Sequence, residues 1–141
     1  MIHPYITFSG ECRQALMFYQ QVFQAEPAGV LHYGEYVPDG LAEIPENLAE
    51  WIMHGEMNIC GVTCWFADEV MEPVTKGTMV KLTLTVADAT EAQRIFEGLK
   101  TEGYVTLLPT ETFYSTFHAG VIDRFGVSWN ITAEEVPAGK E

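Results

Sequence analysis

Residues 112–131 read TFYSTFHAGVIDRFGVSWNI. Two apolar runs, 117–123 and 127–132, flank Arg124-Phe125-Gly126, the pattern of two strands joined by a tight turn. Phe113, Tyr114, Phe117, Phe125 and Trp129 make this stretch dense in aromatic side chains.

The residues before it supply the partners of that hairpin. Val80, Leu82, Leu84 and Val86 alternate with Lys81, Thr83 and Thr85, a half-buried strand. Asp88 is placed to cap a following helix, with Glu91 three residues on as its reciprocal partner. Ala92, Ile95, Phe96 and Leu99 form the apolar stripe of that helix. Glu102-Gly103 ends it, Gly103 suiting a left-handed C-terminal position. Residues 104–108 read as a strand.

The first half of the chain follows the same order. Residues 2–8 alternate as a strand, with Ile6 and Phe8 on one face and His3, Tyr5 and Thr7 on the other. A helix covers about residues 11–23, its stripe Ala15, Phe18, Tyr19, Val22 and Phe23. Residues 28–36 read as a strand. Residues 37–50, with Pro38, Asp39, Gly40, Pro45 and Asn47, read as a loop with a short helical turn near Leu48. That loop either covers a cleft or is an exposed connector. Residues 51–57 and 59–67 form a hairpin turning within 56–61, and 68–75 is a polar break before the second half.

Strand–helix–strand–strand–strand therefore occurs twice, and a unit this small cannot bury its own apolar face alone. The expected fold is α+β: two paired βαβββ modules forming a curved mixed sheet around a cleft, with the helices on the outer face. Residues 1–135 form one domain, module 1 at about 1–70 and module 2 at about 77–132, and 136–141 is a flexible tail.

Composition narrows the function. With 48% apolar and 19% charged residues, 141 residues sustain a packed core. The net charge is −13, and ten Asp or Glu but no Lys or Arg fall between Gln14 and Thr75. Such a surface argues against nucleic acid and anionic membranes as partners, serves solubility, and leaves open a site for a cationic ligand. No apolar run reaches membrane-spanning length and no secretory signal is visible. Cys12, Cys60 and Cys64 lack framework spacing, so a reduced, cytoplasmic protein is expected. Cys60 and Cys64 on one strand would stand about 13 Å apart, too far for a disulfide.

Several motifs together resemble the vicinal-oxygen-chelate superfamily (glyoxalase, extradiol dioxygenases, fosfomycin- and bleomycin-resistance proteins), and within it the PhnB-like branch. They are His3-Pro4-Tyr5-Ile6-Thr7-Phe8-Ser9-Gly10, Ala15…Phe18-Tyr19…Val22-Phe23, Ile52-Met53-His54-Gly55…Ile59…Gly61…Asp68, Thr112-Phe113-Tyr114 and Asp123-Arg124-Phe125-Gly126-Val127-Ser128-Trp129. Some members of this branch carry a demethylubiquinone methyltransferase label, yet the chain has no glycine-rich loop after a strand for a nucleotide-like cofactor. The resemblance implies a homodimer. It also implies divalent-metal ligands on the first, fourth, fifth and eighth strands, which here fall near Tyr5, Cys64 or Trp65, Lys81 and Asn130. A lysine cation has no lone pair, Asn offers a neutral carbonyl, and a phenol ionises near pH 10. No metal and no cofactor are therefore expected.

His54 and Glu56 share a strand face, where His54 either acts as acid or base or holds the sheet through a cross-strand hydrogen bond. Tyr5 is the second acid–base candidate. His3, Glu56, Lys81, Phe113, Tyr114, His118 and Asn130 are the candidate ligand-binding residues, with Phe113 and Tyr114 in a loop-like stretch, 109–116, over a ligand or a dimer interface. His3, His54, Glu56 and His118 include metal-ligand types, without a local spacing to support them. Ser115 and Ser128 lack a histidine and acid for nucleophilic catalysis. Two classes of function follow: a metal-independent small-molecule-binding protein, or an enzyme acting on a small oxygen-rich or phosphonate-like substrate. A purely structural dimeric partner is a third.

Overall fold

The sequence repeat becomes a structural repeat in the computed structural model, which describes residues 1–36 and 44–139. The first half contains β1 (Tyr5–Phe8), α1 (Cys12–Phe23), β2 (Ala28–His32), β3 (Ile52–Ile59) and β4 (Val62–Asp68). The second contains β5 (Leu82–Val86), α2 (Ala89–Leu99), β6 (Tyr104–Thr110), β7 (His118–Ile122) and β8 (Ser128–Ala133). Their sheets run β1-β4-β3-β2 and β5-β8-β7-β6. In each, the first pair is parallel and the other two antiparallel. This is an α+β fold of two βαβββ modules, divided between Thr75 and Lys76.

In the first unit α1 covers one sheet face. Cys12, Ala15, Leu16, Tyr19 and Val22 are buried on it, over Phe8, Met57, Cys64 and Phe66, with the Tyr19 and Phe66 rings 5.8 Å apart. Each such large side chain contributes about 1.5–3 kcal/mol by burial. Glu11, at the N-cap, makes no side-chain cap. The task passes to Asp68, at the end of β4 and 1% exposed. Its Oδ1 accepts from Gly10 N (2.8 Å) and Cys12 N (3.0 Å), its Oδ2 from Ile52 N (2.9 Å). One carboxylate thus satisfies two orphan donors at the helix start and ties them to β3.

In the second unit α2 starts as its sequence predicts, with Asp88 Oδ1 accepting from Glu91 N at 2.9 Å. The Glu91 carboxylate instead pairs with Arg94 at 2.7 Å, which holds its pKa below the usual range. Ala92, Ile95, Phe96 and Leu99 are buried, as are Ala119, Val121, Trp129 and Ile131 on the sheet. Asp123 closes the β7–β8 turn: Oδ1 accepts from Phe125 N and Val127 N, and Oδ2 accepts from the Trp129 indole at 2.8 Å.

Four expectations change. The hairpin turn falls within the expected 56–61, at Cys60-Gly61, both at positive φ (50° and 88°) as a type I′ turn requires, but it takes Cys60 out of the strand. Cys60 is therefore an exposed turn residue, off the strand that carries buried Cys64. At the end of α2 the left-handed residue is Glu102 (φ 58°), not Gly103. Gly103 is needed for close approach, since a Cβ there would stand 2.6 Å from Ile122 O. β6 continues through Pro109 to Thr110, because it is an edge strand and needs no donor there. Finally, β2 stops at His32 and a 3₁₀ turn, Tyr33–Glu35, follows. A second 3₁₀ turn, Glu46–Leu48, lies in the expected loop; residues 37–43 of that loop and 140–141 of the expected tail lie outside the described residues.

Candidate functional site

Alternation along three strands builds a polar and aromatic face on the first unit's sheet. Cys64, Phe66 and Met57 turn towards α1, so Trp65, Tyr5, His54 and Glu56 turn away from it. Trp65 is central, with Tyr5 as its partner across the parallel β1–β4 pair and Glu56 across the antiparallel β3–β4 pair. His3 stacks on its indole at 4.8 Å and 15°. Tyr5 and His54 stand nearly perpendicular to the indole, at 6.0 Å and 5.3 Å.

Hydrogen bonds fix two of these rings. His54 Nε2–H donates to Glu56 Oε2 at 3.0 Å, which leaves the lone pair on Nδ1. His3 Nδ1–H donates to Thr63 O at 2.7 Å, leaving Nε2 as its lone-pair nitrogen. Burial, and next the Glu69 carboxylate, push the Tyr5 phenol above its ordinary pKa. It remains a neutral hydroxyl at physiological pH. The group stays accessible, with Tyr5 55% exposed and the His54 and Glu56 side chains 27% and 40% exposed.

The other candidates belong to the second unit. His118 and Asn130 lie on the sheet face opposite α2, since Ala119, Val121, Trp129 and Ile131 of the alternate phase are buried. The His118 Nδ1 and Thr132 Oγ1 are 2.7 Å apart. Asn130 is paired with Thr83 on β5 and Gly120 on β7. Tyr114 meets the His118 ring at 6.1 Å and Phe113 at 5.2 Å, and Phe113 is exposed. Lys81 precedes β5 and is exposed. Ser115 is buried, its Oγ 2.6 Å from Ala133 O and 2.8 Å from Phe117 O, a structural role.

Trp65, which the resemblance places near a metal position, is not among the ligand-binding candidates read from the sequence. The signal was its phase between Cys64 and Phe66. An open hollow of about 480 Å³ beside α1, lined by Met17, Gln20, Gln21, Gln24 and Glu26, involves none of these groups.

The residues present do not suit the divalent metal that the resemblance implies. Tyr5 is held protonated. Cys64 is buried and its thiol pushed up by burial. Trp65 has no lone pair to give, Lys81 is a cation, and Asn130 offers only a neutral carbonyl. Such a donor set does not fit a divalent ion. Among the described residues, no three His, Cys, Asp or Glu side chains group to hold one elsewhere.

Residues 1–132 match the family model described as 3-demethylubiquinone-9 3-methyltransferase. Protein YjdN of Escherichia coli (strain K12) is 27% identical over 137 residues, covering 92% of each chain. Protein PA1353 from Pseudomonas aeruginosa has a similar structure, with TM-score 0.83 and 27% identity over 95% of this chain and 97% of that one. A PhnB protein from Bacillus cereus shares the fold at TM-score 0.75 and 22% identity, over 94% and 98%.

Proposed function

This chain belongs to the 3-demethylubiquinone-9 3-methyltransferase family, the PhnB-like branch of the vicinal-oxygen-chelate superfamily, and on that premise we propose that it is a metal-independent small-molecule-binding protein. The observation that carries the reading is the convergence of His3, Tyr5, His54 and Glu56 on Trp65, on an accessible sheet face. Aromatic walls with a few placed polar groups are what small-molecule sites are made of. The superfamily's metal positions hold Tyr5, Lys81 and Asn130, residues that do not supply metal chemistry.

Lys81, Phe113, Tyr114, His118 and Asn130, all of the second unit, are proposed separately as ligand contacts of that unit's own sheet. The protein is further proposed to act in the cytoplasm as a homodimer. Its edge strands β2 and β6 expose Val30, Leu31, Tyr104, Leu107 and Leu108, and Phe113 is 79% exposed; these are surfaces for a second copy. No helix among the described residues is long and apolar enough to cross a membrane.

A second reading has one observation in its favour. The Glu56 carboxylate orients His54, an arrangement also used to prepare a general base. In that reading the protein is an enzyme of lyase, isomerase or transferase type, with His54 or Tyr5 as acid or base.

The test is a thermal-shift screen of small amines, carboxylates and phosphonates against the wild type and Trp65→Leu. A compound that raises the melting temperature of the wild type alone supports the site. Shifts that persist unchanged in Trp65→Leu contradict it. Turnover of that compound, lost in His54→Gln, would favour the enzyme.

A further inference from the structure

We propose that the face around Trp65 receives a small organic cation, a quaternary ammonium or protonated amine. The inference rests on the binding reading above and specifies its ligand class. An indole face attracts a cation held within about 6 Å of the ring centroid, more strongly than Tyr or Phe does. Trp65 has the Tyr5 and His54 rings standing across it at 77° and 79°. His3 covers one face of that indole at 4.8 Å, so a compact cation would take the other face, with the Tyr5 and His54 rings beside it.

A carboxylate completes the set. Glu56 is the cross-strand partner of Trp65. Its Oε2 accepts the hydrogen bond from His54, so Oε1 can meet a ligand N–H or lie against an ammonium methyl group.

Charge around the unit disfavours the opposite ligand class. Arg13 is the one Lys or Arg among residues 1–75, against eleven Asp and Glu. Arg13 is on α1, on the other side of the sheet, where it meets His32 Nε2 at 2.7 Å and Glu50 Oε2 at 3.9 Å. A phosphonate or carboxylate at Trp65 would meet Glu56 with no Lys or Arg of this unit on that sheet face to offset it. Glu69 adds to the same field, since its carboxylate helps to raise the Tyr5 phenol.

The experiment titrates the full chain with three probes, followed by isothermal calorimetry and the indole NMR signals. They are choline, its uncharged shape analogue 3,3-dimethylbutan-1-ol, and phenylphosphonate. Choline is expected to bind about tenfold tighter than the alcohol, the difference a cation–π contact supplies. Glu56→Gln should weaken choline about tenfold and leave the alcohol unchanged. Trp65→Leu should remove both. Phenylphosphonate binding in preference to choline, and lost in Trp65→Leu, overturns the cation class while the binding reading stands. No Trp65-dependent response to any probe overturns both. If circular dichroism shows Trp65→Leu unfolded, Tyr5→Ala and Glu56→Gln decide: unchanged choline affinity in both overturns the proposal.

Discussion

His54 donates its Nε2–H to Glu56 Oε2 at 3.0 Å, from a position two residues away on the same strand. A strand repeats its faces every two residues, so the contact follows from β3 being regular here. The carboxylate accepts only, which sets the tautomer of the ring. In wild-type protein the imidazole NMR pattern of His54 should show a proton on Nε2. In Glu56→Ala the ring should lose that preference, while the His3 pattern stays unchanged. An unchanged His54 pattern in Glu56→Ala would contradict the pairing.

Asp68 should be a site of large stability loss. Asp68→Ala leaves Gly10 N, Cys12 N and Ile52 N without their acceptor, at about 1–3 kcal/mol for each buried donor. Denaturant unfolding measures it. The milder Asp68→Asn keeps one acceptor oxygen and should cost about 1–3 kcal/mol.

The same residue carries a pH signature. Burial holds the Asp68 carboxyl above its ordinary value, even though three N–H groups pull it down. The folded chain then keeps this proton at a pH where the unfolded chain has lost it. That contribution is fully present below the unfolded value and is lost as pH rises through the folded one. The stability advantage of wild type over Asp68→Asn should therefore shrink as pH rises from about 4. An advantage that grows with pH across that window contradicts the sign.

Gly103 and Glu102 separate two physical roles. A Cβ on Gly103 meets backbone, 2.6 Å from Ile122 O and 3.2 Å from Leu99 O. Gly103→Ala should cost about 1–3 kcal/mol. Glu102→Gly relieves a left-handed non-glycine residue at φ 58° and should be neutral or stabilising by up to about 1 kcal/mol. Equilibrium unfolding of the two variants checks the pair; equal losses in both would contradict the assignment.

Much of this was legible beforehand, where the determining contacts are local. The α2 stripe, Ala15, Tyr19 and Val22 of the α1 stripe, the Asp88 cap and the repeated element order are written within a few residues of one another. Phe18 and Phe23, by contrast, are only half-buried, and Cys12 and Leu16 complete the buried face of α1. Asp68 was not legible as an anchor, because its partners Gly10, Cys12 and Ile52 lie far away in sequence and use only backbone atoms. Gly103 was misread because an Ile122 carbonyl approaching it leaves no local trace. In the candidate site, His54 and Glu56 were readable from alternation. Trp65 was readable too, from buried neighbours on either side, but aromatic residues pack in cores often enough to mask the phase.

The donor set bears on metal content. Protein purified without chelator should hold well below one equivalent of zinc, nickel or iron, and adding these ions should not raise its melting temperature. Elemental analysis measures the first. A stoichiometric ion that survives dialysis would overturn the metal-free reading.

The claim that binding occurs on the first unit's open face is tested most directly by NMR titration of nitrogen-labelled protein with the strongest hit from the thermal-shift screen. The Trp65 indole N–H and the His54 ring signals should move saturably. The Trp129 indole, buried on Asp123 Oδ2, should stay still. Saturable shifts confined to Phe113, Tyr114, His118 and Asn130, with Trp65 unmoved, would contradict it.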